Sequence, residues 1–148
     1  MPYKRILVPI SGTEDDFRAV DLAAVVAMRK DADVTLVYVV EVRQSLPLDA
    51  DLPETVSEGE QALARSEKYA REHIEQRGQR LHSELLQARS AGAAIVDEAI
   101  ERDIDVIVMA SRNRKHMGNV TLGDTVPYIL KHAPCAVILT RSGDPSWE

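Results

Sequence analysis

Four short, almost unbroken apolar runs constrain what this chain can fold into more than any other feature. They are Arg5-Ile6-Leu7-Val8-Pro9-Ile10, Val34-Thr35-Leu36-Val37-Tyr38-Val39-Val40, Asp105-Val106-Ile107-Val108-Met109-Ala110 and Cys135-Ala136-Val137-Ile138-Leu139-Thr140. A strand with one face in water alternates apolar and polar residues, whereas a parallel strand covered on both faces does not. These β-branched runs are of the second kind. Only 4% of the residues are aromatic, so the core they build must be aliphatic. A fifth stretch, 81–88, alternates weakly and suits a sheet edge.

Helical spacing fills the gaps. A first helix is predicted over 14–30, with Thr13 as N-cap, Asp16 close to a capping-box position, and Phe17, Val20, Ala24, Ala27 and Met28 on one face. A second is predicted over 58–78, opened by a Ser57/Glu60 capping box and ended by Gly78, with a thin stripe of Leu63, Ala70 and Ile74. A third, over 91–102, presents Ile95, Val96, Ala99 and Ile100. A fourth ends at Lys131-His132, with Pro134 beyond it as a stop.

The order is therefore β-α-β-α-β-α-β-α-β, which implies βαβ units with right-handed crossovers. The predicted fold is α/β: a single five-stranded, parallel, doubly wound sheet of order 3-2-1-4-5 with helices on both faces. One domain is expected over 1–141, with 142–148 a flexible C-terminal tail. The connection 41–56 reads as a flexible loop with Pro47, Pro53 and several acids, and 111–119 as a short, basic, polar loop. Such sheets bind ligands beyond the carboxyl ends of the strands, where strand order reverses. Here that point lies between the first and fourth strands, where Pro9 to Thr13 and Ala110 to Asn113 leave the sheet.

The net charge of −6 speaks against nucleic acid as the main partner. A single cysteine, Cys135, excludes an intrachain disulfide and a cysteine metal cluster, and is expected to begin a buried strand as a small hydrophobe. His73 and His82 have no partners at ligand spacing, and His132 falls in a last helical turn, where a cation favours the dipole. No metal site and no catalytic residue is predicted. The first apolar run is too short for a signal peptide or a membrane span, so the expected location is cytoplasmic, without a membrane partner.

Met109-Ala110-Ser111-Arg112-Asn113, nine further residues, Gly123-Asp124, and then Leu130-Lys131-His132-Ala133-Pro134-Cys135-Ala136-Val137 resembles the C-terminal signature of universal stress proteins. Arg5 to Thr13 resembles the start of the same family, so the likeness covers nearly the whole chain in the same element order. It implies the adenine nucleotide alpha hydrolase-like fold. It also implies an ATP motif, G-x2-G-x9-G-[ST], whose glycines let the backbone approach the phosphates and whose last residues open a helix toward the anion. Carried over position by position, the motif departs here. Ala110 and Asn113 stand at the first two glycines, Gly123 at the third, Asp124 at the Ser/Thr, and Ser11 at a first-strand Asp that contacts the nucleoside.

The changes differ in weight. Asn tolerates positive φ better than most residues, so Asn113 can imitate its glycine. Asp124 is expected to fill the helix amide nest and repel a triphosphate, by about 4 kcal/mol at a separation of roughly 4 Å and an effective dielectric near ~20, before screening reduces it. Arg112, Arg114, Lys115 and His116 pull toward anions instead. The candidate adenylate or anion site is therefore Pro9, Ile10, Ser11, Val39, Met109, Ser111, Arg112, Asn113, Arg114, Gly123, Asp124 and Thr125.

The leading reading is a non-catalytic stress-response module with weakened or absent ATP binding. No cofactor is expected, and ATP or AMP is the candidate ligand. The resemblance implies a homodimer through the fifth strand, Cys135 to Arg141, and an apolar strand at a sheet edge does invite pairing. The alternative is an adenine-nucleotide switch with at most slow ATP hydrolysis. A third reading, an electron-transfer flavoprotein or adenylating relative, asks for a larger chain.

Overall fold

The computed structural model describes residues 3–28, 30–74, 78–112, 114–116, 119–121 and 124–142, with the backbone course alone for 112, 114–116 and 119–121. Along the chain the elements are β1 (Arg5–Pro9), α1 (Asp15–Val26), β2 (Asp33–Glu41), α2 (Pro53–His73), β3 (Arg80–Ala88), α3 (Ala91–Glu101), β4 (Val106–Arg112), β5 (Arg114–His116), β6 (Asn119–Thr121), α4 (Thr125–His132) and β7 (Ala136–Ser142). The main sheet runs β3-β2-β1-β4-β7, all parallel, which is the predicted 3-2-1-4-5 order.

The apolar runs occupy the central strands because both sheet faces are covered. Ile6 and Val8 of β1, with Val34 and Leu36 of β2 and Val106 and Val108 of β4, pack against α1 and α2. The alternate residues Leu7, Val37, Ile107 and Met109 pack against α3 and α4. Ile6, Leu7, Leu36 and Ile107 are fully buried, and each is worth about 1.5–3 kcal/mol relative to exposure.

Several boundaries differ from the sequence expectations. The first helix is shorter, Asp15–Val26, with Glu14 rather than Thr13 at the N-cap and no side-chain capping bond. Its buried stripe is Ala19, Val20 and Ala23, and Met28 lies beyond its end, 73% exposed. The second helix starts a turn earlier than its capping box, because Pro53 sits in the first turn, where a missing N–H costs nothing. It ends at His73, so Gly78 does not cap it; Gly78 has φ +88° and lies further along the chain. Ile100 on α3 is exposed rather than in the core stripe. Cys135 is half-buried and precedes β7.

The stretch 111–119 is not simply a loop. β4 runs on to Arg112, and β5 pairs antiparallel with β6 as a separate hairpin. The connection 41–56 is tied down by side chains from β3 and the turn after it. Gln87 donates to the Leu48 and Ala50 carbonyls at 3.1 and 3.2 Å, and Arg89 donates to the Leu46 carbonyl at 2.8 Å. Of the expected tail, 142–148, Ser142 is instead the last residue of β7, and 143–148 lie outside the described residues.

Candidate functional site

A cleft of about 820 Å³ opens at the carboxyl end of the sheet, between β1 and β4. Its cause is the parting of those two strands. β1 pairs with β2 through Pro9↔Val37, but with β4 only through Leu7↔Ile107. β4 meanwhile stays paired with β7 to Arg112↔Ser142. Along β1, Lys4 and Ile10 bond to β2, whereas Arg5 accepts from Asp105 on the β4 side, so odd-numbered residues address β4. Pro9 is odd-numbered and has no N–H to donate. The ladder ends there and the crevice begins.

The β1–α1 turn that lines the cleft folds around one acid. Asp16, 5% exposed, accepts the Ser11 N–H at 2.7 Å, the Ser11 hydroxyl at 3.0 Å and the Gly12 N–H at 2.9 Å. Gly12 has φ +85°, a conformation that costs glycine nothing and brings both amides onto the carboxylate. Burial raises the Asp16 pKa above its ordinary value; the hydrogen bonds from Ser11 and Gly12 oppose that, and the nearby Asp15 adds to it. Ser11 also shares a 2.8 Å hydrogen bond with Thr13 within the same turn.

The walls come from both layers. Tyr38 of β2 stands on the α2 side, seated over Gly59: a methyl added to Gly59 would lie 2.6 Å from its Cδ1. Tyr128 of α4 stands on the other side, against Gly92 of α3, with its ring centroid 4.3 Å from that of His132. Carboxylates are frequent among the described side chains: Glu14, Asp15, Glu41 and Asp124 all line the cleft, and Asp15 is paired with Arg18. Glu41 also accepts the Ala91 N–H at the start of α3, at 3.3 Å.

Asp124 corrects one expectation. It occupies the N-cap of α4, yet its backbone is helical (φ −92°, ψ −31°) and its carboxylate makes no capping hydrogen bond. Pro127 contributes to this. A cap normally accepts the N–H of the second or third helical residue, and Pro127 deletes the third. Asp124 is exposed and lines the cleft, and its carboxylate does not fill the helix amides.

Of the candidate residues, Pro9, Ile10, Ser11, Val39, Met109, Ser111, Asp124 and Thr125 come together around the cleft. Arg112 and Arg114 lie in β4 and β5 by backbone, with their side chains outside the described residues, as are Asn113 and Gly123 altogether. Glu41, Ser90, Tyr38 and Tyr128 were not anticipated. Among the described residues no group of three His, Cys, Asp or Glu side chains is placed to hold a metal, and no helix is long and apolar enough to cross a membrane.

A parallel doubly wound sheet with its cleft at the reversal of strand order defines the class of nucleotide-type α/β domains. The model of the universal stress protein family matches residues 2–141, and the chain belongs to that family. It is 30% identical to universal stress protein MJ0531 of Methanocaldococcus jannaschii over 145 residues, covering 94% of this chain and 82% of that one. In fold it is similar to a universal stress protein from Archaeoglobus fulgidus, with a TM-score of 0.74, 22% identity and coverage of 93% and 98%. A structure of the universal stress protein from Archaeoglobus fulgidus in complex with dAMP is similar at a TM-score of 0.70, 20% identity and coverage of 94% and 98%.

Proposed function

We propose that this protein is a non-catalytic, dimeric stress-response module whose cleft takes an adenine-bearing ligand and holds a triphosphate weakly or not at all. The carrying observation is the start of α4, where Asp124 presents an uncapped carboxylate and Pro127 withholds an amide. A helix N-terminus binds phosphate through those amides and its dipole, and here one donor is absent and a negative charge stands in front. The dAMP complex of a family member with this fold supports adenine as the base. The family match, ending at residue 141, supports a single domain over 1–141.

The dimer reading rests on β7. It lies at the sheet edge beyond β4, and Val137, Ile138 and Leu139 are only half-buried. An apolar edge of this kind pairs readily with a second copy. Light scattering at micromolar concentration should return a dimer; a monomer removes this part of the reading.

Asp124→Ser is the direct test of the phosphate argument. The variant should bind ATP about tenfold or more tightly than the parent chain by calorimetry, a gain of about 1.4 kcal/mol. Ser11→Asp is a poor companion, because it would set a second carboxylate against buried Asp16. Stoichiometric ATP released from the denatured wild-type protein would overturn the weak-binding proposal.

A further inference from the structure

Several of the described backbone amides that could grip a phosphate at the cleft are already taken by the chain's own side chains. At the β1–α1 turn, Asp16 takes the Ser11 and Gly12 amides. At the start of α3, Glu41 takes the Ala91 amide, and the Ser90 hydroxyl takes that of Ala93 at 3.4 Å. At the start of α4, Pro127 removes one amide and Asp124 adds a charge. Turn nests and helix N-termini are the places where a parallel sheet ordinarily receives an anion. Among the described residues three of them border this cleft, and none of the three offers an anion both free amides and an uncharged approach.

The rest of the lining suits a neutral ligand. Ile10, Val39, Ile95 and Met109 supply apolar surface, while Ser11, Ser111 and Thr125 supply hydroxyls. A cleft of about 820 Å³ has ample room for a nucleoside.

From this we infer that the cleft selects the nucleoside over its nucleotides: an uncharged purine nucleoside, with adenosine as the probe, binds more tightly than the same nucleoside carrying phosphate. Glu41 and Asp124 are the specificity-determining residues. Asp16 acts by keeping the first turn's amides occupied. The inference deepens the adenine-ligand reading and rests on it.

Calorimetry of the full chain with adenosine, AMP and ATP tests both. The expected order of affinity is adenosine, then AMP, then ATP, each phosphate-bearing ligand weaker by about tenfold at low salt. Added salt should strengthen AMP and ATP binding by screening like charges, and leave adenosine unchanged. Glu41→Gln keeps a carbonyl for the Ala91 amide and should narrow the gap between adenosine and AMP. An unchanged gap takes the role from Glu41. AMP or ATP binding as tightly as adenosine, with affinity falling as salt rises, overturns the inference and assigns the phosphate to the cations of Arg112, Arg114 and Lys115. If none of the three binds, the adenine reading itself fails. The salt dependence needs only the wild-type chain, so a variant that misfolds does not protect the inference.

Discussion

At the amino ends of the strands, Asp33, Asp103, Glu84 and Glu98 meet arginines, while Asp105 accepts the Lys4 and Arg5 amides; at the carboxyl ends, Asp16 and Glu41 meet backbone amides, and Asp15 meets Arg18. Asp33 is held by Arg80 at 2.5 and 3.1 Å, with His82 at 3.7 Å, and Asp103 by Arg5 at 3.3 Å. Glu84 and Glu98 share Arg102 at 2.6 and 2.8 Å. The titration behaviour follows. Arg80 holds the Asp33 pKa below its ordinary value, while burial raises that of Asp16. Glu98 is the exception at its end, raised by burial and by Glu84 against the pull of Arg102. A cation neutralises an acid, whereas an amide only solvates it. Among the described side chains, cations therefore neutralise more of the acids at the amino end than at the cleft.

The comparison can be broken at either end. The largest expected effect is at the cleft wall. Gly59→Ala forces Tyr38 and Leu85 aside, since the new methyl would sit 2.6 and 2.9 Å from their atoms. It should cost about 1–3 kcal/mol in urea unfolding and reshape the cleft; an unchanged midpoint would mean the wall is pliant.

Arg102→Met comes next. It leaves two partly buried carboxylates without their cation and should cost about 1–2 kcal/mol at neutral pH. The cost should shrink in acid as the carboxyls take up protons. An equal cost at both pH values would assign the role of Arg102 to packing.

The smallest effect carries the clearest sign. The Asp33 pKa is lowered in the fold, so its contribution is present above the ordinary carboxylate value and lost as pH falls through the folded value. The Asp16 pKa is raised, so it favours the folded state in acid and that help fades as pH rises through its range. Carbon NMR titration should place the two midpoints on opposite sides of the ordinary value. Arg80→Gln should return Asp33 toward normal and leave Asp16 unmoved, with little effect on stability, because Arg80 is exposed and its pair is screened by solvent. Midpoints on the same side would remove the contrast.

The central strands were legible in the sequence because two-sided burial writes itself as an unbroken apolar run, as in 106–109. Helix ends were less so. The Ser57/Glu60 box looks like a start, but Pro53 already opens α2 one turn earlier. The β5–β6 hairpin was missed because Arg114, Lys115 and His116 show no apolar alternation. Within the cleft, the strand-end residues followed from topology, so Pro9, Ser11 and Ser111 could be placed. Glu41 and Tyr128 could not, since they reach the cleft through contacts distant in sequence with Ala91 and Gly92. The role of Asp124 was misread: it was expected to fill the helix amides, with no weight given to Pro127, which removes the amide of the third helical residue.

The parting of β1 and β4 has one further consequence. Pro9, which has no N–H to offer β4, stands just beyond the last paired residue, a covalent feature that is the same whether or not anything is bound. Shape and occupancy are thus inherited separately. A lineage can exchange the side chains on the cleft walls, and with them the molecule it answers to, while the vessel keeps its form.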